Sequence, residues 1–197
     1  VWIIGEDVVQ TDPNSAHVAK AMNALDLLVV QEIFLSETAK HADVVLPGTT
    51  FLEKDGTFTN TERRVQRVNK AAEPLPGTKP DGLIVTEMMQ KLGYNQKPYD
   101  ADEVLAEIAD VVPFFKGITR ERLGKLGLQW PVKEDGTDTK ILHEKEFKLG
   151  KGRIKYFDFK ESSELEKNKK EYPLILTTSR VLQHYNAATM TRRTKNI

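Results

Sequence analysis

Two short apolar runs separated by a polar segment constrain the fold of this chain more than any other feature. The runs cover residues 27–30 and 43–46, and the polar segment between them begins at Ser36. Each run has the length and composition of a buried strand, and serine is a good helix-capping residue. The pattern therefore predicts one strand–helix–strand unit.

A further apolar run at residues 1–4 and a helical pattern after Ser15 extend this unit. Val18, Ala19 and Met22 fall on one face of the predicted helix. Strands that alternate with helices are typical of a parallel sheet with right-handed crossovers. We therefore expect an α/β fold, a Rossmann-like parallel sheet with flanking helices.

Polar residues follow each of the three predicted strands. The sequence there reads Gly5-Glu6-Asp7, Gln31-Glu32 and Pro47-Gly48-Thr49-Thr50. Ligands of open parallel sheets bind at the carboxyl ends of the strands, and carboxylates there can accept hydrogen bonds from ribose or guanine. Solvated or helix-capping polar residues are the alternative. The fingerprint Gly-x-Gly-x-x-Gly is absent after the first strand, which argues against an ordinary nicotinamide site.

Turn and capping signals predict the elements that follow. Asp55-Gly56 predicts a hairpin turn, Asp81 a helix cap, and Asp100 with Glu103 a capping box, and a further helix is expected over residues 120–126. Lys54, beside the turn, could donate to a phosphate or a base, or could be a solvated edge charge. Arg63-Arg64 could bind a phosphate, or the two arginines could form salt bridges on the face of a strand.

The carboxyl-terminal third is more hydrophilic. We interpret residues 1–131 as an α/β domain, 132–171 as a charged connector with a hairpin near residues 150–152 and a strand at 156–159, and 172–197 as the start of a second domain, opened by a strand at 172–178. The hydroxyls and the arginine of Thr178-Ser179-Arg180 suit a pyrophosphate. A polar loop with an aromatic anchor at Tyr185 is an equal alternative.

Composition excludes several function classes. Basic and acidic residues balance at 29 each, and three clustered charges near the end are weak support for a nucleic-acid partner. The absence of cysteine excludes disulfides, thiolate metal sites and iron–sulfur ligation within these residues. No metal-ligand spacing, membrane span or signal peptide is present, and we expect a cytoplasmic protein. An apolar start at Val1 and an uncapped end predict a part of a longer protein.

Several motifs resemble those of the molybdopterin oxidoreductases, and most closely those of formate dehydrogenase α subunits. They cover most of the chain and are Gly5-Glu-Asp-x-x-Gln-Thr-Asp12, Val30-Gln-Glu-Ile-Phe34, Thr38-Ala-x-x-Ala-Asp-Val-Val-Leu-Pro47, Glu53-Lys-Asp-Gly-Thr-Phe-Thr-Asn-x-Glu-Arg-Arg-Val-Gln66, Thr177-Thr-x-Arg-Val-Leu-x-His-Tyr185 and Met190-Thr-Arg-Arg193. The central motif is also similar to nitrate reductases and to the complex I large subunit, which keeps the fold as a scaffold. These two remain alternatives.

The resemblance implies an α/β domain followed by the start of a β-barrel, which together hold parts of a bis-molybdopterin guanine dinucleotide cofactor with molybdenum or tungsten. It implies formate oxidation to carbon dioxide, or the reverse, in a longer protein with an electron-transfer subunit. Iron–sulfur ligands, metal ligand and catalytic residues belong upstream, so the chain alone should be inactive. The implied cofactor contacts are Asp7, Gln31, Glu32, Lys54, Asp81, Thr178, Ser179, Arg180, Val181, Leu182, Gln183, His184, Tyr185 and Asn186.

Two positions depart from the pattern of that family. Ser179 stands where the family usually has glycine, and a serine resists a positive φ. Gly82 stands where the family usually has tryptophan after the aspartate, which weakens the predicted helix start.

Overall fold

A computed structural model describes residues 1–160, 162–163 and 168–195. The chain divides into two compact units, Val1–Lys140 and Ile141–Ile197. Each is described by itself below. The domain borders predicted at residues 131 and 171 stay predictions.

Three parallel strands form the first sheet of the first unit. They are β1 (Trp2–Ile4), β2 (Val29–Glu32) and β3 (Val44–Pro47), in the order β1-β2-β3. Gln31 pairs in register with Ile4 on one side and with Leu46 on the other. The predicted parallel sheet is therefore confirmed, and its three carboxyl ends lie side by side.

Short helices connect these strands. They are α1 (Val8–Thr11), α2 (Ser15–Met22) and a 3-10 helix (Thr38–His41). Asn14 rather than Ser15 caps α2, since its side chain accepts a hydrogen bond from the His17 amide. The N-cap of the 3-10 helix is Glu37 and not the predicted Ser36, although Ser36 Oγ accepts a hydrogen bond from the Ala39 amide at 3.2 Å. A small core joins sheet and helices through Leu28, Val30, Ala39, Ile3, Met22, Leu25 and Ala42.

A second, antiparallel sheet follows in the chain. Its strands are β4 (Gly56–Thr59), β5 (Arg64–Val68) and β6 (Leu128–Gln129). The prediction of a hairpin turn at Asp55-Gly56 is wrong, because the turn lies at residues 60–63. Asn60 organises that turn by accepting hydrogen bonds from the amides of Glu62 and Arg64, whereas the Asp55 carboxylate accepts one from the Lys70 amide.

Three helices complete the first unit: α3 (Asp81–Lys91), α4 (Ala101–Val111) and α5 (Arg120–Leu123). Of these, α4 contacts β4 and α5 contacts β5. Asp100 caps α4 as predicted, with hydrogen bonds from two backbone amides. Asp81 is the first residue of α3 and not its cap. α5 ends at Leu123, earlier than the predicted residue 126, and Gly124 follows with φ 52°. The core here comprises Val65, Leu105, Ile118, Leu123 and Val132, with Phe115, Leu128 and Trp130.

The two adjacent arginines serve the second sheet. Arg63 donates to the carbonyls of Trp130, Thr139 and Lys140, and its guanidinium lies 5.6 Å from the Trp130 ring centroid. Arg64 lies 3.7 Å from the Glu62 carboxylate. These contacts favour a structural role for the pair over a phosphate clamp.

The described residues of the second unit form no β-strand. The hairpin predicted near residues 150–152 and the strands predicted at 156–159 and 172–178 are therefore wrong for this structure. Phe157 and Leu176 are 79% and 90% exposed. A strand needs cross-strand hydrogen bonds, and no described segment offers them to these residues. The two sheets among the described residues of the chain have three strands each and do not close into a barrel. None of the helices in the part of the chain that the structure describes is long and apolar enough to cross a membrane.

Candidate functional site

The carboxyl edge of the parallel sheet brings together three of the predicted site residues. Gln31, at the end of β2, donates from its side-chain nitrogen to Oδ1 of Asp81 at 2.8 Å. Lys54 donates to Oδ2 of the same carboxylate. Because the three residues come from β2, the loop before β4 and the start of α3, this contact joins three separate segments. We call Gln31, Lys54 and Asp81 the strand-end triad.

A capping box holds Lys54 in place. The Glu53 carboxylate accepts from the backbone amide and the hydroxyl of Thr50 at 2.8 and 2.9 Å, and from the Leu75 amide at 3.1 Å. The hydrogen bonds from Thr50 lower the pKa of Glu53 first, and the Leu75 bond adds to the effect. Lys54 also lies 3.4 Å from the Thr49 carbonyl oxygen. Hydrogen bonds therefore fix the loop that carries Lys54 to Thr49 and Thr50 and to the backbone of Leu75.

The Asp81 carboxyl stays ionised because of its partners. Burial raises its pKa, but hydrogen bonds from Lys54 and Gln31, together with the Lys54 charge, outweigh burial and leave the pKa below its usual value. The Asp81 and Lys54 side chains are 39% and 24% exposed. A charge pair that is partly open can meet an outside ligand.

Glu32 and Asp7 lie at the same edge of the sheet but outside the triad. Glu32 is half-buried, and its Oε1 accepts from the next amide, of Ile33, at 2.7 Å. Asp7 is buried, and its Oδ1 accepts from the amide and the hydroxyl of Thr38 at 2.9 and 2.8 Å. Its Oδ2 has no hydrogen-bond partner among the described residues. Asp7 therefore joins the end of β1 to the 3-10 helix and keeps one acceptor free.

An aromatic ring covers the start of α3. A Cβ built on Gly82 would lie 2.2 Å from the Tyr99 ring, so the glycine leaves the space that this ring fills. Burial first, and then the charges of Asp100, Asp81 and Asp55, raise the pKa of Tyr99. Gly82 was expected to weaken the start of this helix, but α3 begins at Asp81 and includes Gly82. Tyr99 also lines a cavity of about 320 Å³ together with Lys54, Asp81 and Gly82.

Sequence reasoning named Thr49 and Thr50 only as polar residues after the third strand, and it missed the roles of Glu53 and Tyr99 in this site. Thr50 and Glu53 carry the sequence signature of a capping box, threonine followed three residues later by glutamate, and could have been found. Thr49 is buried and its hydroxyl has no hydrogen-bond partner among the described residues. Neither this nor the ring of Tyr99 against Gly82 has a local signal in the sequence, because both depend on distant segments.

The predicted phosphate-binding residues lie in the second unit. In this unit Arg180 donates to Oδ1 of Asn186 at 2.9 Å, and His184 shares a hydrogen bond of 2.7 Å with the Thr191 hydroxyl. His184 is half-buried, whereas the other members are exposed: Thr178, Ser179, Arg180, Val181, Leu182, Gln183, Tyr185 and Asn186. Ser179 is not among the residues with positive φ, so serine fits this backbone without strain.

Comparison with known proteins identifies the class. Residues 1–91 match the sequence profile of the molybdopterin oxidoreductase family, and the chain belongs to this family. Along its whole length it is 48% identical to the F420-dependent formate dehydrogenase subunit alpha of Methanocaldococcus jannaschii. Over 99% of its length it is 48% identical to the F420-dependent formate dehydrogenase 2 subunit alpha of Methanococcus maripaludis. The chain spans 30% and 29% of these relatives.

Among solved structures, acetylene hydratase from Pelobacter acetylenicus aligns with 61% of this chain, with a TM-score of 0.47 and 20% sequence identity. The aligned part covers 16% of that protein.

Proposed function

We propose that this chain is a cofactor-binding part of a formate dehydrogenase α subunit. The whole protein would oxidise formate to carbon dioxide, or run the reverse, at a bis-molybdopterin guanine dinucleotide centre with molybdenum or tungsten. The identity of 48% to two named formate dehydrogenase α subunits carries the proposal. Because these relatives are named as subunits, we expect an electron-transfer subunit as partner.

The chemistry of the strand-end triad fits the nucleoside end of such a cofactor. An ionised Asp81 can accept N–H or O–H donors of a guanine or a ribose, and Lys54 can donate to a base carbonyl or a phosphate. Glu32 offers a second carboxylate at the same edge. When it is bound, the metal centre of the cofactor supplies the redox chemistry, and the protein binds and orients it.

The second unit supplies the residues that we assign to phosphate. Arg180 has a permanent positive charge, and Thr178 and Ser179 add hydroxyls and backbone amides. All three are exposed, so a ligand can reach them. The start of a β-barrel domain in this part of the chain, and the absence of activity from the chain alone, are parts of the same proposal.

A paired measurement on the full-length protein that contains this sequence tests the function. We expect molybdenum or tungsten in the purified protein and reduction of a dye driven by formate. Metal without formate activity would point to another member of the family, and nitrate is then the next substrate to test. Absence of both metal and pterin would contradict the proposal and favour a scaffold of the complex I type.

A substitution tests the phosphate assignment. Arg180→Ala in the full-length protein should lower its molybdenum or tungsten content, because a pyrophosphate loses its charge partner. Arg153→Ala, a change of an exposed arginine in the same unit, is the matched control and should leave the metal content unchanged. Equal metal content in both variants would remove the phosphate role of Arg180.

A further inference from the structure

Gln31 is more deeply buried than the residues that it supports. Its exposure is 0%, and it lies at the end of the central strand β2, between β1 and β3. An outside molecule cannot reach this side chain without displacing the residues around it. The Asp81 side chain, by contrast, is 39% exposed.

The orientation of the Gln31 amide follows from its partner. Its nitrogen faces Oδ1 of Asp81 at 2.8 Å, and only the nitrogen end can donate to a carboxylate. Its oxygen is buried and has no hydrogen-bond partner among the described residues. A buried acceptor without a donor is unfavourable, so an apolar side chain of the same size would suit this position better on packing grounds alone. The bond to Asp81 is the interaction that an apolar side chain would lose.

Asp81 is held from three directions. Gln31 donates to one carboxylate oxygen, and Lys54 donates to the other. The backbone of Gly48 closes the third side, since a Cβ built on this glycine would lie 3.0 Å from Oδ1. A carboxylate has about four lone-pair sites, and the two side-chain donors together with the Asp81 backbone amide use up to three of them. The side chain is 39% exposed, so a ligand can approach the carboxylate from outside.

We propose that Gln31 is a positioning residue: its amide fixes the Asp81 carboxylate so that the free lone pairs face the ligand, and it does not itself touch the ligand. The ligand class is a nucleoside group that donates N–H or O–H, which rests on the proposed function. The positioning role itself is a property of the chain before any ligand binds. It can therefore be tested separately.

The experiment is an NMR titration of the Asp81 carboxyl in the 197-residue chain without ligand. Gln31→Met keeps the size of the side chain and removes the donor, so the pKa of Asp81 should rise in this variant. The melting temperature should stay the same or increase, because the unpartnered amide oxygen is removed at the same time. A merely structural role for Gln31 predicts the opposite pair of results, a lower melting temperature and an unchanged Asp81 titration.

Gln129→Met is the matched control. Gln129 is also a buried glutamine and donates from its amide at 3.0 Å, but to the Glu62 carbonyl in the turn between β4 and β5. This variant should leave the Asp81 titration unchanged. If Gln31→Met does not fold, the wild-type chain still decides the matter, because the Gln31 side-chain amide protons should shift with pH together with Asp81. If the chemical shifts of these amide protons do not change as Asp81 ionises, the proposal is overturned.

Guanosine monophosphate separates this inference from the proposed function. If the wild-type chain binds this nucleotide, the Gln31→Met variant should bind it about tenfold more weakly, because the Asp81 carboxylate is no longer fixed. If the wild-type chain does not bind it, but Gln31→Met still raises the pKa of Asp81, the positioning role stands and the nucleoside assignment loses support. Tight binding by both proteins with an unchanged Asp81 titration would contradict the positioning role alone.

Discussion

The two units of this chain treat apolar side chains differently. In the first unit Leu28 and Ile118 are each 1% exposed, within clusters that join sheets and helices. In the second unit Ile154 and Leu176 are 100% and 90% exposed. Apolar runs are present in both units, so an apolar pattern alone does not determine burial. Burial also requires a neighbouring segment that the run can pair with or pack against.

Hydrogen exchange should show the largest difference between the units. The amides of β2 are bonded between two neighbouring strands, whereas those of residues 172–178 have no ladder among the described residues. We expect the β2 amides to exchange several orders of magnitude more slowly. Mass spectrometry of the chain after timed exposure to heavy water measures this. Comparable protection of residues 172–178 would mean that they pair in solution.

A matched pair of leucine substitutions should give the next largest effect. Leu28→Ala removes a side chain that is 1% exposed, and should lower the free energy of unfolding by about 2–5 kcal/mol. Leu176→Ala changes a side chain that is 90% exposed, and should have an effect within about 0.5 kcal/mol. Urea unfolding followed by circular dichroism measures both. Similar losses in the two variants would erase the distinction between the units.

The part of the acid sensitivity of the first unit that comes from Asp81 should be the smallest of these effects. The pKa of Asp81 is lower in the folded chain than its usual value of 3.8. Its contribution to stability is therefore complete above that value and is lost as the pH falls through the lower, folded pKa. Because the group is partly exposed, we expect less than about 1 kcal/mol.

Asp81→Asn is the comparison for the acid effect. The variant should lack this part of the pH dependence, and its stability should fall less steeply than that of the wild type below about pH 4. Urea midpoints at a series of pH values measure the difference. Parallel curves for the two proteins would show that Asp81 gains nothing from its partners in the folded state.

The parallel sheet could be predicted because its signals are local. Each strand contains part of a continuous apolar run, and polar residues follow that run in the sequence, as do Gln31 and Glu32 at the end of β2. The hairpin could not be placed in the same way. Asp55-Gly56 has the composition of a turn, but the hydrogen bond from the Lys70 amide to Asp55 and those of Asn60 decided where the chain reverses.

The candidate site was predictable as a set of residues but not as an arrangement. Lys54 and Asp81 were named from motifs, yet their contact depends on how the loop before β4 meets the start of α3. The burial of Gln31 likewise depends on two neighbouring strands. In the structure Arg180 and its neighbours lie in an exposed loop. Their role in phosphate binding stays a prediction.

The Tyr99 ring against Gly82 has a consequence for engineering. One aromatic ring fits over the start of α3, and here it comes from a later segment of the chain and not from the position next to Asp81. A Gly82→Trp variant that keeps Tyr99 would place two rings in one volume. The two segments have to be exchanged together, although they are separate in the sequence.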